Sequence, residues 1–327
     1  MVLQRRREQR RHVIEDESQV GEARRDAQRL AMAYGLDATL TGRVAIAATE
    51  LGTNLIRHGG GGQLLMQPLQ AGSGEAIELL AIDRGRGMTD VNRCLNDGYS
   101  TGGTSGTGLG AVRRLSSEFD IHSVPGEGTI VMSRIGASAA SRFGAISIAV
   151  KGEVECGDGW ALAHAADAIS VMVVDGLGHG SLAAAAAESA QECFAATAGA
   201  MPRAVLERAH RSLSSTRGAA AAVARIAGPN LSYAGVGNIN GYIVGSDRAQ
   251  GLVSHNGTLG LTLTRLQQFE YERSAPSLLV MHSDGLSARW DLRNNAPLLA
   301  RHPAVIAAVL FRDHARVRDD ATVVVLN

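Results

Sequence analysis

A chain of 327 residues suffices for two domains of ordinary size, and its 45% hydrophobic content can fill two cores. Its 32 Lys and Arg balance its 32 Asp and Glu, which removes any general pull toward nucleic acid or an anionic membrane. Cys94, Cys156 and Cys193, widely spaced and without a Cys-x-x-Cys, argue for reduced thiols; with a charged start and no membrane-length apolar run, the expectation is a cytoplasmic protein.

In chain order, the basic run 5–11 reads as a frayed, solvated N-terminus. A strand over 11–14 precedes a helix over 18–34 that Gly35 stops, and a second helix covers 37–58, with Asp37 as N-cap and Gly59 as C-terminal stop. On that second helix Glu50, Asn54 and His58 recur every four residues and share a face, set against the apolar Val44, Ile46, Leu51 and Leu55. Such a stripe alone is also what a solvated helix face shows, and His58 beside the helix end reads as a partner of the helix dipole. Strands over 63–70, 76–82 and 129–135 supply a sheet. The second strand runs into Asp83-Arg-Gly-Arg-Gly87, and Thr101-Gly-Gly-Thr-Ser-Gly-Thr-Gly-Leu-Gly110 then leads into a helix. Glycines let backbone N–H groups approach phosphate oxygens, and a helix N-terminus favours anions.

The order of Glu/Asn helix, Asp-x-Gly-x-Gly, glycine-rich loop and Gly126-Glu-Gly-Thr129 resembles the GHKL (HATPase) ATP-binding domain shared by gyrase, histidine kinases and MutL. Within it, residues 13–135 look most like the RsbT-like serine/threonine switch kinases of bacterial partner switching, related to RsbW and SpoIIAB, through Asp97-Gly-Tyr-Ser-Thr101 and Phe119-Asp-Ile-His-Ser123. The resemblance implies an α/β sandwich, with helices on one face of a mixed sheet. It implies Glu50 as general base and Asn54 as ligand of the Mg²⁺ on ATP. Asp83 would accept from the adenine amino group with support from Thr129, Gly85 and Gly87 would turn the chain beneath the base, and Gly106, Gly108 and Gly110 would close over the phosphates.

Residues 137–144, small and polar, read as a linker between a first domain over 1–136 and a second over 145–327. The second half shows short apolar strands and two alanine-rich helices, near 182–198 and 202–215, which suit a β-sandwich flanked by helices. Three apolar runs meet aspartates: Val171-Met-Val-Val-Asp175-Gly176, Leu278-Leu-Val-Met-His-Ser-Asp284-Gly, and Asp319-Asp320 before Val323-Val-Val325. Each Asp-Gly alone is a common turn, but carboxylates at several strand ends make a site for hard divalent cations. Asp158 reads either as a water-mediated metal contact or as a turn, and Gly235-Val-Gly-Asn-Ile-Asn240 as a structural turn beneath the site.

These three motifs resemble the metal-dependent type 2C (PPM) protein phosphatases of the SpoIIE/RsbX branch. The resemblance implies an αββα sandwich that holds two Mn²⁺ or Mg²⁺ through Asp175, the carbonyl of Gly176, Asp284 and Asp319, the last preferred to Asp320. Two functions stay open. One is a bifunctional kinase and phosphatase acting on STAS-type antagonist or stressosome scaffold proteins. The other is a nucleotide-gated module that binds a sigma factor or switch protein, fused to a phosphatase that alone turns over. Retention of Glu50 favours the first.

Overall fold

The computed structural model describes residues 2–71, 74–95, 108–138, 142–165, 167–197, 199–293 and 295–327. Among these, residues 7–138 form one compact unit, and residues 2–6 with 142–327 form the other. In chain order the elements are β1 (Val2–Arg5), β2 (Arg10–Ile14), α1 (Glu17–Ala33), α2 (Ala38–Gly59), β3 (Gly62–Ala71), β4 (Gly74–Ile82), α3 (Val91–Cys94), α4 (Gly108–Leu115), β5 (Glu118–Val124) and β6 (Gly128–Gly136). Then come β7 (Phe143–Ile148), β8 (Asp158–His164), β9 (Ile169–Gly176), α5 (Ser181–Ala196), α6 (Pro202–Ser212), β10 (Ala219–Ala227), β11 (Asn230–Val236), β12 (Asn240–Val244) and β13 (Ala249–Gly251). The chain ends with β14 (Phe269–Glu272), β15 (Leu278–His282), α7 (Ala296–Leu299), α8 (Pro303–His314) and β16 (Ala321–Leu326).

In the first unit a capping box starts α1: Asp16 accepts from the amides of Ser18 and Gln19, and the Gln19 side chain returns to the Asp16 amide. Asp37 caps α2 through the Leu40 amide at 2.7 Å, and the helix closes on Gly60 in the left-handed region, one residue past the expected stop. Val20, Ala27 and Leu30 of α1 and Val44, Leu51 and Leu55 of α2 bury themselves against Leu64, Met66, Ile77, Leu79 and Val131 of the sheet. Each large side chain so buried stabilises the unit by about 1.5–3 kcal/mol. Ile46, two positions from Val44 and thus across the helix, is instead 50% exposed. The sheet order is β2-β3-β4-β6-β5. Its pairings are all antiparallel where a mixed sheet was anticipated, since β3–β4 and β5–β6 are joined by short hairpins.

The second unit is a sandwich of a six-stranded sheet, β1-β8-β9-β10-β11-β14, and a five-stranded one, β13-β12-β15-β16-β7. Phe143 and Trp160, one from each sheet, meet in its middle with ring centroids 5.7 Å apart. Helices α5 and α6 cover the first sheet through Ala186, Ala190, Phe194, Leu206 and Ala209. On the second sheet α8 lies so close to β7 that a Cβ on Gly144 would fall 2.2 Å from the Cα of Ala304. Helix α8 went unread in the sequence because residues 303–311 are all buried, which leaves no polar stripe to set its period.

The N-terminus differs from expectation. β1 pairs with β8, from Val2 opposite His164 to Arg5 opposite Ala161, so the described residues up to Arg6 belong to the sandwich rather than to a domain over 1–136. The Arg6 guanidinium donates to the carbonyls of Cys156 (2.9 Å) and Asp158 (2.8 Å), and Arg10 pairs with Glu8 and Asp26. Part of a basic run that looked solvated is held by these acceptors, while Arg5 and Arg11 are exposed. β6 reaches Gly136 and β7 begins at Phe143, which shortens the expected 137–144 linker; its residues 139–141 lie outside the described residues. No helix among the described residues is long and apolar enough to cross a membrane.

Candidate functional sites in the two units

In the first unit α2 aligns the half-buried Glu50 and Asn54, and tertiary packing brings the start of α4 to them. A Cβ on Gly108 would stand 2.9 Å from Glu50 Oε2 and 3.8 Å from Asn54 Oδ1, so a side chain there would push the Glu50 carboxylate aside. Gly110 follows, buried, within the same turn. The Asn54 Nδ2 is buried without a hydrogen-bond partner among the described residues. An unpartnered NH₂ donor beside a helix N-terminus fits a phosphate oxygen of a bound nucleotide, and the amide oxygen at its other end is the kind of ligand Mg²⁺ takes. Gly106 and the Asp97–Thr101 motif lie outside the described residues.

Asp83 stands just past β4. Its Oδ1 accepts from the amides of Gly85 (2.8 Å) and Thr129 (3.0 Å), and its own amide donates to the Thr129 carbonyl at 3.0 Å. Asp83 and Thr129, distant in sequence, are thus clasped through the backbone. The Thr129 hydroxyl meets Ser123 Oγ at 2.8 Å, and Ser123, the last residue of the Phe119–Ser123 motif to which no site role was assigned, also receives the Met88 amide at 2.8 Å. Gly85 and Gly87 serve close approach: a Cβ on Gly85 would fall 2.5 Å from the His58 carbonyl, and one on Gly87, at φ +65°, 2.1 Å from that of Val124. His58 is held below the usual imidazole range by burial first and then by Arg86 and Arg57. Neutral, with Nδ1 3.3 Å from an Arg86 nitrogen, it does not supply the positive charge that the dipole-partner reading needs.

The second site is gathered at one end of the sandwich, where both sheets stop. β9 delivers Asp175, directly opposite Asp158 of β8; β15 leads into Asp284; and Asp319 and Asp320 precede β16. Gly285 makes this convergence possible, since a Cβ there would lie 1.8 Å from the Asp320 carbonyl. Burial, then Asp284 and Asp319, push the Asp175 carboxyl up to about 7. Asp319 is raised as well, by burial first and Asp284 second. The fully buried Asp158 is raised well above the carboxylate range by burial and then Asp175, and accepts from Ser283 Oγ at 2.6 Å.

Asp319 and Asp320 have different surroundings. Both Asp320 oxygens are taken by amides, those of Val150 (2.7 Å) and Gly157 (2.6 Å), so it clamps the loop ahead of β8. Asp319 is half-buried and accepts from the Asp320 amide at 2.9 Å. Gly176 is buried against α5, where a Cβ would lie 2.2 Å from the Ala183 carbonyl. Behind Asp284, the buried His282 takes the Trp290 Nε1–H at 3.3 Å on Nε2 and donates from Nδ1 to the Ser283 carbonyl at 2.7 Å, with Tyr242 stacked on its ring. Burial lowers its pKa, consistent with that neutral tautomer.

Asn238, assigned to a structural turn by the sequence, enters the site. Its Nδ2 donates to Asp284 Oδ2 at 2.7 Å and to Asp175 Oδ2 at 3.3 Å. Among the described residues no group of three or more His, Cys, Asp or Glu is placed to hold a metal ion. The chemistry of the donor set nevertheless suits a hard divalent ion: Asp175, Asp284 and Asp319 offer carboxylate oxygens, and burial first and then their mutual repulsion raise Asp175 and Asp319, a cost that such a cation relieves.

Residues 14–134 match the histidine kinase-like ATPase domain family, and residues 165–327 match the stage II sporulation protein E (SpoIIE) family. The serine/threonine-protein kinase RsbT of Bacillus subtilis strain 168 is 32% identical over 111 residues, which span 34% of this chain and 84% of that protein. A structure from work on the bacterial stressosome as a modular system controlling secondary messenger signaling is 28% identical. It has a TM-score of 0.53 and covers 57% of this chain and 98% of its own. RsbX in complex with magnesium, at 22% identity and TM-score 0.50 over 55% of this chain and 92% of its own, shows likeness of fold.

Proposed function

Because this chain belongs, through its first unit, to the RsbT family of serine/threonine kinases and carries a SpoIIE phosphatase domain behind it, we propose that it is a bifunctional partner-switching regulator. It phosphorylates serine or threonine of STAS-type antagonist or stressosome scaffold proteins with ATP. It also dephosphorylates phosphoserine or phosphothreonine proteins with two Mn²⁺ or Mg²⁺, in the cytoplasm. The observation that carries the reading furthest is the convergence of Asp175, Asp284 and Asp319 at one end of the sandwich, a set of hard oxygen donors whose burial and mutual repulsion a divalent cation relieves.

In the kinase reaction Glu50 takes the proton of the attacking hydroxyl. Asn54 offers its amide oxygen to the Mg²⁺ of the nucleotide, and Asp83, oriented by the amides of Gly85 and Thr129, accepts from the adenine amino group. The backbone of Gly108 and Gly110 would lie over the phosphates, so that catalysis is chiefly positioning and charge neutralisation. In the phosphatase reaction Asp175, the Gly176 carbonyl, Asp284 and Asp319 would hold the metal pair, which would supply a nucleophilic water at neutral pH. Asp320 and Gly285 keep Asp319 and Asp284 adjacent, and Ser283 anchors the strand end to the buried Asp158.

Both activities on one residue at once would only consume ATP, so the two units serve different substrates or opposite signal states. The test incubates the full chain with a STAS-domain protein encoded beside it, ATP and Mg²⁺, alongside Glu50→Ala and Asp175→Ala. Transfer of label that Glu50→Ala abolishes, and release of phosphate that Asp175→Ala abolishes, are expected. Retained ATP binding with no transfer by the wild type sinks the kinase half, and phosphate release by Asp175→Ala at the wild-type rate sinks the phosphatase half.

A further inference from the structure

We propose that Asn238 is a positioning residue that competes with the divalent cation for the Asp175–Asp284 pair, and so sets how tightly the metal is held. The inference rests on the metal-dependent reading of the second unit. It starts from the turn between β11 and β12, which is fixed from several sides. The Gly237 amide donates to the His255 carbonyl at 2.9 Å, and the His255 amide to that of Gly235 at 2.9 Å. Gly237 sits at φ +87°, where a Cβ would come 2.5 Å from that of Ala220, so the turn lies directly on β10. Asn240 Nδ2 holds the Asn238 carbonyl at 3.2 Å. With its backbone so constrained, the Asn238 side chain is presented to the site rather than free to sample it.

The chemistry of the amide explains which end faces the aspartates. Facing an Asp284 carboxylate oxygen at 2.7 Å, the amide presents its NH₂ as donor, since its own oxygen in that place would meet like partial charge. Its two protons are directed at Asp284 Oδ2 (2.7 Å) and Asp175 Oδ2 (3.3 Å), one from each sheet of the sandwich. These charge-assisted bonds hold two repelling carboxylates in register. The Asn238 NH₂ lies between Oδ2 of Asp175 and Oδ2 of Asp284, so a cation that bridges these two oxygens displaces its contacts, whereas one held through the two Oδ1 atoms leaves them in place. In the bridging arrangement the free energy of those contacts is subtracted from metal affinity. A purely structural asparagine predicts the opposite sign, because its loss would disorder the aspartates and weaken the metal.

The test is calorimetric titration of the full-length protein with Mn²⁺, without substrate. Asn238→Ala is expected to bind Mn²⁺ about tenfold more tightly than the wild type, as losing one net charge-assisted contact implies. Its melting temperature is expected to be lower than that of the wild type without Mn²⁺ and no lower at saturating Mn²⁺. Asn238→Ser, which keeps a small donor, should fall between the two and serves if the alanine variant fails to fold. Affinity unchanged or weakened in both variants overturns the inference. It leaves the metal reading intact when the wild type takes up Mn²⁺ and Asp284→Asn does not. A wild type that takes up no Mn²⁺ overturns both.

Discussion

The two units place reactive groups by contrasting means. In the first, Glu50 and Asn54 are neighbours because a single helix repeats every 3.6 residues, and folding adds the start of α4 and the Asp83–Thr129 clasp around them. In the second, Asp175, Asp284 and Asp319 come from three strand ends in two sheets, and no local repeat relates them. A site built on one helix keeps its internal geometry while that helix stands. A site built on a sandwich exists only while both sheets hold their registers.

Substitutions can break that contrast or sharpen it. The largest effect is expected for Asp175→Ala or Asp284→Ala. Phosphate release should fall by more than about 10⁴-fold, because losing one carboxylate dismantles the whole cation site, while phosphoryl transfer and ATP binding by the first unit persist. Glu50→Gln should lower transfer by about 10²–10⁴-fold with ATP affinity and phosphate release unchanged, as expected of a base that positions nothing else. Loss of ATP affinity in that variant would show that Glu50 shapes the pocket instead. Both are read from the same protein by label transfer, nucleotide binding and phosphate release.

Smaller effects concern the supports. Gly87→Ala forces a Cβ to within 2.1 Å of the Val124 carbonyl at φ +65° and should cost about 1–3 kcal/mol in urea unfolding, with weakened ATP binding. Gly126→Ala, also at positive φ but with no atom within 4 Å, should cost only about 1 kcal/mol and spare ATP binding. The smallest effect is on acid stability. Burial raises the Asp26 pKa, but His12, Arg29 and Arg10 outweigh it and leave a net lowering. Its ion pairs therefore stabilise the folded state above the ordinary carboxylate pKa, and that contribution disappears as the pH falls through the lowered value. The stability difference between wild type and Asp26→Asn should stay constant above about pH 5 and shrink below about pH 4. A difference independent of pH would show that Asp26 acts by packing alone.

Legibility in the sequence followed the range of the interactions. Helices α1 and α2 were readable because Asp37, Gly35 and the apolar period mark them, whereas the Asp16 cap was not read and the stop of α2 falls at Gly60, one residue past the expected Gly59. β1 was not, since Val2–Arg5 makes a strand only by pairing with β8, far along the chain. The same reason hid Asn238. Nothing in Gly235-Val-Gly-Asn distinguishes a turn beneath a site from one whose side chain bonds two of its aspartates. Asp319 and Asp320 are alike in sequence, and only the amides of Val150 and Gly157 set the second apart as a clamp.

By itself the sequence determined the kinds of chemistry present: a carboxylate and an amide one helical turn apart, glycines where backbone must come close, and aspartates at the ends of apolar strands. These follow from side-chain identity and from periods of two and 3.6 residues, which need no partner. Tertiary structure alone decided which groups meet: Gly108 with Glu50, Asp83 with Thr129, Asn238 with Asp175 and Asp284, and Arg6 with the strand that carries Asp158. Those meetings depend on sheet register and on the few positions where a missing Cβ allows contact. They exist only once the whole unit has folded.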